Sequence, residues 1–278
     1  MKKFIIIGSG RRVQQDVLTS LSYLKIEKKN ISIYANREKN ILVRDDIYKV
    51  NIINKLKFID IESIVYIAVT KSAVESVIDF VTKLNPNIKL IIDTPINSKK
   101  LISKFKNINI CVAEDAFFLG RYLIKSGLRL NKFNILILHK SAMSYHGIAF
   151  IESLLSTTIF QVSFFDFYLG ICKNGISIIY GKKNYEKGNI YLNFSKIKFP
   201  SLTKKQEKLI GGSSDYDSIS YRFLDLKRLG LVDLLNDFIK NEKGYLSLKC
   251  GYNHFKKGEI IGKSPLSSLY IKIKNVLK

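Results

Sequence analysis

Short apolar runs and amphipathic stretches alternate through the first 113 residues, and few folds accept that rhythm. Lys3–Ile7, Asn30–Ala35, Ile64–Val69, Ile88–Ile92 and Ile108–Ala113 read as strands, the first and third as unbroken apolar runs. Between them, Arg11–Leu24 places Val13, Val17, Leu18, Leu21 and Leu24 on one helical stripe. Ser72–Leu84 is a second helix, stopped by Asn85-Pro86-Asn87, and Ser98–Phe105 is a third. Strand–helix–strand repetition implies a parallel sheet covered on both faces. Right-handed crossovers make it doubly wound.

After Gly127 the texture changes. Phe133–His139, Ile159–Tyr168, Ile176–Tyr180, Ile190–Phe194 and Ser218–Leu226 read as strands, with Asn174-Gly175 and Lys187-Gly188-Asn189 as turns. His146–Leu155 and Leu229–Ile239 have helical spacing, and Lys196–Ser214 reads as a loop. The expected architecture is α/β. A doubly wound Rossmann domain over 1–118 precedes an α+β domain over 119–278 with an open, mostly antiparallel sheet. A closing helix over 265–277 carries Leu266, Leu269, Tyr270, Ile273 and Val276 on one stripe and can pack back on the first domain.

Composition excludes several classes. Apolar residues make up 46% of the 278, ample for a core and too many for a disordered chain. Three scattered cysteines, Cys111, Cys172 and Cys250, form no disulfide framework and no metal-ligand spacing, so no metal is expected. No apolar run reaches the ~20 residues of a membrane span. Gly8-Ser9-Gly10 and two arginines break the opening apolar run too early for a signal peptide, so the cytoplasm is the expected compartment. Lys and Arg number 46 against 23 acidic residues, a formal charge of +23. The lysines are spread along the chain rather than gathered, which weakens a nucleic-acid footprint and fits a lysine-rich composition. Such a surface still draws anionic metabolites.

Gly8-Ser9-Gly10-Arg11-Arg12-Val13 sits where the first strand turns into the first helix. There the first glycine permits a tight turn. The second admits a pyrophosphate close to the backbone, and the free N–H groups of the helix start receive its charge. Val13 stands where a third small residue is usual. At the end of the second strand no carboxylate marks the ribose-binding position of NAD, and Glu38 lies just beyond it. Asn36, Arg37 and Lys39, with Arg11 and Arg12 nearby, suit the 2′-phosphate of NADP instead, with NAD as the alternative.

Three later segments carry a resemblance. Ile64-Val65-Tyr66-Ile67-Ala68-Val69-Thr70 resembles a strand running into a turn beside the nicotinamide. Lys89–Pro95, ending Asp93-Thr94-Pro95, resembles a strand ending in Glu-Lys-Pro. Val112-Ala113-Glu114-Asp115, then Phe117-Phe118-Leu119 and Tyr122–Gly127, resembles the exit from the nucleotide domain. Together they resemble the glucose–fructose oxidoreductase and inositol dehydrogenase family over roughly residues 1–155. The resemblance implies a nicotinamide-dependent oxidoreductase acting on a sugar, cyclitol or nucleotide-linked sugar. It implies pairing through the open sheet of the second domain. Ala68, Val69, Thr70, Asp93, Thr94 and Pro95 would flank the cofactor, and Glu114 the substrate.

The chain departs from that family at the motif lysine, where Thr94 stands; a hydroxyl is no proton donor near neutral pH but can hydrogen-bond substrate or carboxamide. Thr70 replaces a common proline, and Lys71-Ser72-Ala73 lacks the usual histidine. The family's acid/base histidine falls on His146, at a helix start that favours neutral imidazole, with Tyr145 able to share the role. Lys140 is a candidate for the missing lysine, His139 belongs to its strand, and His254 reads as isolated in a polar loop. Two other readings stay open: a relative that binds nucleotide or a partner protein without turnover, and a basic protein of nucleic acid or membrane surfaces.

Overall fold

A computed structural model describes residues 2–139, 144–164, 167–180, 190–197, 203–210, 223–241 and 246–261. The chain divides into two compact units, Met1–Glu114 with Leu231–Tyr252, and Asp115–Gly230 with the chain from Asn253 onward. The unbroken second domain expected over 119–278 is therefore interrupted: 231–252 groups with the first unit.

The first unit is built on seven strands: β1 (Phe4–Ile7), β2 (Ile31–Ala35), β3 (Lys39–Val43), β4 (Asp46–Ile52), β5 (Ile64–Ile67), β6 (Lys89–Asp93) and β7 (Ile110–Ala113). They lie in the order β3-β4-β2-β1-β5-β6-β7, parallel except for the edge strand β3. Every residue of β1, β5 and β7 is buried, as a parallel sheet covered on both faces requires. A π-wound turn over Val13–Val17 leads into α1 (Leu18–Tyr23), and α2 (Val74–Leu84) and α3 (Lys99–Lys104) follow β5 and β6. The apolar stripe of α2 buries Val74, Val77, Ile78 and Val81. Between β2 and β5, a stretch to which the sequence pattern assigns no element, the chain makes a hairpin. β3 turns back at Arg44, in the left-handed region (φ 56°), and β4 returns beside β2. The alternation that marks it, Ile41 and Val43 buried against Tyr48 and Val50, is visible in the sequence once the register is known.

The second unit carries six strands: β8 (Asn134–His139), β9 (Thr158–Phe164), β10 (Phe167–Cys172), β11 (Gly175–Tyr180), β12 (Ile190–Leu192) and β13 (Ser195–Lys196). Their order is β13-β12-β8-β11-β10-β9, antiparallel throughout except for β11 beside β8. The expected strand 159–168 is thus two strands of one hairpin. The helices are α4 (Asp115–Lys125), α5 (Ser144–Leu155), α6 (Lys204–Ile210), α7 (Phe223–Asn241) and α8 (Leu248–Gly258). α4 packs closely on α5: a Cβ on Gly120 would lie 1.7 Å from Ser153 Oγ.

Three expectations are corrected here. Residues 223–226, expected as the end of a strand, open α7, where buried Leu231, Leu234, Leu235 and Phe238 follow helical spacing. The loop expected over 196–214 holds the end of β13 and α6. His254 is not in a polar loop. It is 2% exposed on α8, with Nε2 3.1 Å from Glu152 Oε2 and its ring 6.1 Å from that of Phe117. The closing helix expected over 265–277 lies outside the described residues.

Glu152 anchors this corner of the second unit. It accepts from His254, from Lys257 and from the Thr158 backbone N–H at 3.1 Å. Burial alone would push its carboxyl up, but the hydrogen bonds from His254 and Lys257 outweigh it and bring it down to about 2. A carboxyl held low when folded stabilises fully above its ordinary 4.5, and that contribution is lost as pH falls toward about 2. Glu152→Gln is expected to cost about 3 kcal/mol at pH 7 and to flatten the acid limb of stability. Urea unfolding at stepped pH values between neutral and acid measures both.

Candidate functional site

In a doubly wound sheet, ligands bind where strand order reverses, beyond the carboxyl ends of the strands. Here the chain runs outward from β1 through β2 to β4, then restarts at β5 on the other side of β1. The reversal therefore falls between β1 and β5, and the turns leaving those two strands are Gly8–Gly10 and Ala68–Thr70.

The first glycine is demanded by the protein itself. Gly8 has φ 124°, a conformation closed to other residues, and a Cβ there would lie 2.1 Å from the carbonyl oxygen of Ala68. Two backbone bonds tie the turn down: Gly8 N–H donates to Tyr34 O, and Ala68 N–H donates to Ile7 O, each at 2.8 Å. Gln14 closes it from the helix side, its amide donating to Ser9 O at 2.8 Å. Gly10 is different. Among the described residues nothing lies within 4 Å of a Cβ placed there, so no contact with them calls for glycine.

Around this turn opens a cleft of about 540 Å³. Gly8, Ser9 and Gly10 line one part, Ala68, Val69 and Thr70 another, and Asn36, Arg37 and Lys39 a third. Nine residues singled out in the sequence are thus brought together by β1, β2 and β5. Glu38, the nearby carboxylate, does not line it; it pairs with Lys55 at 2.7 Å, whose hydrogen bond lowers its pKa.

Other expected residues lie apart from that cleft lining. Arg11 donates to Gln15 at 2.8 Å. Arg12 reaches across β5 to β6: Nε donates to Asp93 Oδ1 at 3.1 Å, with further bonds to Asp16 at 3.2 Å and to the Tyr66 hydroxyl at 3.4 Å. The guanidinium and the Asp93 carboxylate thus bind each other at the rim of the sheet. Val13 is wholly buried and opens the π turn over Val13–Val17. Thr94 and Pro95 follow β6, joined by a cis peptide bond. Glu114, past the end of β7, is 1% exposed.

In the second unit, Tyr145 and His146 occupy the first turn of α5, their ring centroids 4.0 Å apart. Lys227 of α7 brings Nζ to 3.3 Å from His146 Nε2. Sequence reasoning missed this lysine, because nothing local distinguishes it from the many others. Lys140 lies outside the described residues. Among the described residues, no group of three or more His, Cys, Asp and Glu is placed to hold a metal. Nor is any helix among them long and apolar enough to cross a membrane.

No protein-family model and no curated protein matches the sequence. Solved structures do match the fold. A myo-inositol dehydrogenase from Corynebacterium glutamicum superposes with TM-score 0.60 at 9% identity, over 93% of this chain and 95% of that one. A levoglucosan dehydrogenase, in complex with NADH and levoglucosan, gives 0.59 at 11%, over 96% and 98%. An oxidoreductase from Agrobacterium radiobacter, in complex with NAD+, L-tartaric acid and magnesium, gives 0.58 at 10%, over 96% of each chain.

The two glycines separate by role. Gly8→Ala is expected to destabilise by about 3 kcal/mol through strain and overlap with Ala68, whereas Gly10→Ala is expected to stay within about 1 kcal/mol. Denaturant melts of the two variants measure the difference. The chain has the two-unit fold of these dehydrogenases, the fold that its resemblance to the glucose–fructose oxidoreductase and inositol dehydrogenase family implies.

Proposed function

We propose that this protein is a nicotinamide-dependent oxidoreductase that moves a hydride between the cofactor and a carbonyl or alcohol carbon of a small polar metabolite. The observation that carries the reading is Gly10: a glycine with open space at its Cβ, at the strand-order reversal, on a helix start, in a cleft with Arg37 and Lys39. A diphosphate close to the backbone explains that glycine, and no contact among the described residues does.

NADP is the favoured cofactor. Arg37 and Lys39 supply cations for a 2′-phosphate, and the one carboxylate that could bind ribose hydroxyls, Glu38, is paired with Lys55. The bound nicotinamide would donate or accept the hydride. The chain's own part is to hold the diphosphate on the Gly8–Gly10 turn and to move the accompanying proton. That proton is assigned to His146, with Tyr145 beside it, because Thr94 offers no titratable group where the family has lysine. The substrate class is a sugar or cyclitol. The similar structures support it in that one is a levoglucosan dehydrogenase in complex with levoglucosan and another a myo-inositol dehydrogenase.

NADPH is expected to raise the melting temperature and to bind at least ~10-fold more tightly than NADH. Gly10→Val is expected to weaken that binding at least ~100-fold while leaving the melting temperature of the free protein nearly unchanged. Fluorescence titration and thermal melts, with a single-stranded oligonucleotide as comparison, test this; binding of neither cofactor removes the reading. Binding without turnover of inositols or anhydrosugars would favour the non-catalytic alternative, to which the loss of the motif lysine at Thr94 also points.

The second unit's sheet supports self-association as a further part of the proposal. One face is buried, with Leu136, Leu138, Ser177 and Ile179 inward. The opposite face carries an apolar row in register across five strands, Val162, Leu169, Ile178, Ile137 and Tyr191, none of them buried. Beside it, Phe160 and Ile171 are paired and 46% and 43% exposed. A second copy of the same face would cover it. Ile171→Lys is expected to weaken self-association roughly 30-fold, read by sedimentation velocity.

A further inference from the structure

We propose that Lys227 is a positioning residue for His146, fixing which imidazole nitrogen carries the proton and returning a proton to the ring after it gives one up. The first half stands on the geometry alone; the second rests on the oxidoreductase reading above.

The geometry is compact. His146 lies in the first turn of α5 with the Tyr145 ring 4.0 Å away, and Lys227 Nζ stands 3.3 Å from His146 Nε2. All three side chains are partly exposed. Lys227 is held there by its helix: Leu226 and Leu229 on either side are each 2% exposed, so α7 cannot turn the lysine away without exposing both.

Donor chemistry then dictates the tautomer. An ammonium has three N–H donors and no acceptor. Facing it, Nε2 must be the acceptor, so the neutral ring carries its hydrogen on Nδ1. Free imidazole side chains favour the other tautomer, so the contact has a measurable signature.

The same arrangement makes a balanced proton relay. In the reducing direction the oxygen of a carbonyl substrate that accepts a hydride would take its proton from His146 Nδ1. The ring regains a proton at Nε2 from the Lys227 ammonium. The imidazole is neutral before and after, with its tautomer exchanged; Nδ1 then takes a proton from solvent and Nε2 returns its own to the Lys227 amine, which restores the resting ammonium and the Nδ1–H ring. Lys227 would then supply, through His146, the cationic proton source that Thr94 cannot provide.

Nitrogen-15 spectra of histidine-labelled protein test the first half. Only three histidines are present, and His146→Gln assigns the signal. Wild type is expected to show His146 with a bare Nε2 and protonated Nδ1. Lys227→Met is expected to shift it to the Nε2–H tautomer, and Lys227→Arg, which still donates, to keep the Nδ1–H form. A wild-type Nε2–H tautomer, or no change in Lys227→Met, overturns the proposal. For the second half, NADP-linked turnover of myo-inositol or levoglucosan is expected to fall ~100-fold in both variants, because an arginine does not release its proton. Lys227→Arg with undiminished turnover overturns the relay. A wild type that binds neither cofactor overturns the oxidoreductase reading and the relay with it, while the tautomer result still decides the role of Lys227.

Discussion

The first unit depends on one close approach of backbone to backbone. The turn after β1 and the turn after β5 touch at Gly8 and Ala68, where no side chain can intervene. Hydrogen bonds from Gly8 to Tyr34 and from Ala68 to Ile7 stitch β2, β1 and β5 together at their carboxyl ends. That contact places the glycine turn, the end of β2 and the turn after β5 around one cleft. Moving any of the three would break a buried backbone hydrogen bond, each costly to leave unmade. The candidate cofactor cleft is thus a by-product of how the central strands must meet.

Charge is distributed around that cleft by pairing. The chain is strongly basic, yet the cations nearest the turn have different fates. Arg12 is drawn into a network with Asp93, Asp16 and Tyr66 and braces the helix start to β6. Arg37 and Lys39 face the cleft. The distinction is geometric: Arg12 lies on the helix side of the turn and reaches across β5, whereas Arg37 and Lys39 leave β2 on the cleft side. Composition cannot separate them, because all three are basic residues within thirty positions of one another.

The second unit solves a different problem with the same sequence vocabulary. Its antiparallel strands alternate, so one face packs and the other remains apolar and open. Its polar chemistry collects at helix ends and faces. Glu152 gathers His254 and Lys257 into a buried cluster that holds α8 against α5. Lys227 approaches His146 from α7. Both clusters join residues about eighty to a hundred positions apart, and neither has a local signal.

The sequence by itself determined the elements whose cause is local. The glycine turn, the buried strands around Ile6, Tyr66 and Ile91, the stripe of α2 and the hairpin at Asn174-Gly175 follow from periodicity and turn chemistry, which act over a few residues. Together they disclosed the doubly wound sheet and most of the cleft. Only the tertiary structure decided the rest. The β3–β4 hairpin fills a stretch to which the sequence pattern assigns no element, because its alternation has meaning only in register with β2. His254 left its expected loop because a carboxylate 102 residues away holds it in the interior. Arg12 and Lys227 took their partners for the same reason: side-chain pairing depends on distance in space, and sequence spacing carries that information only within a single helix or strand.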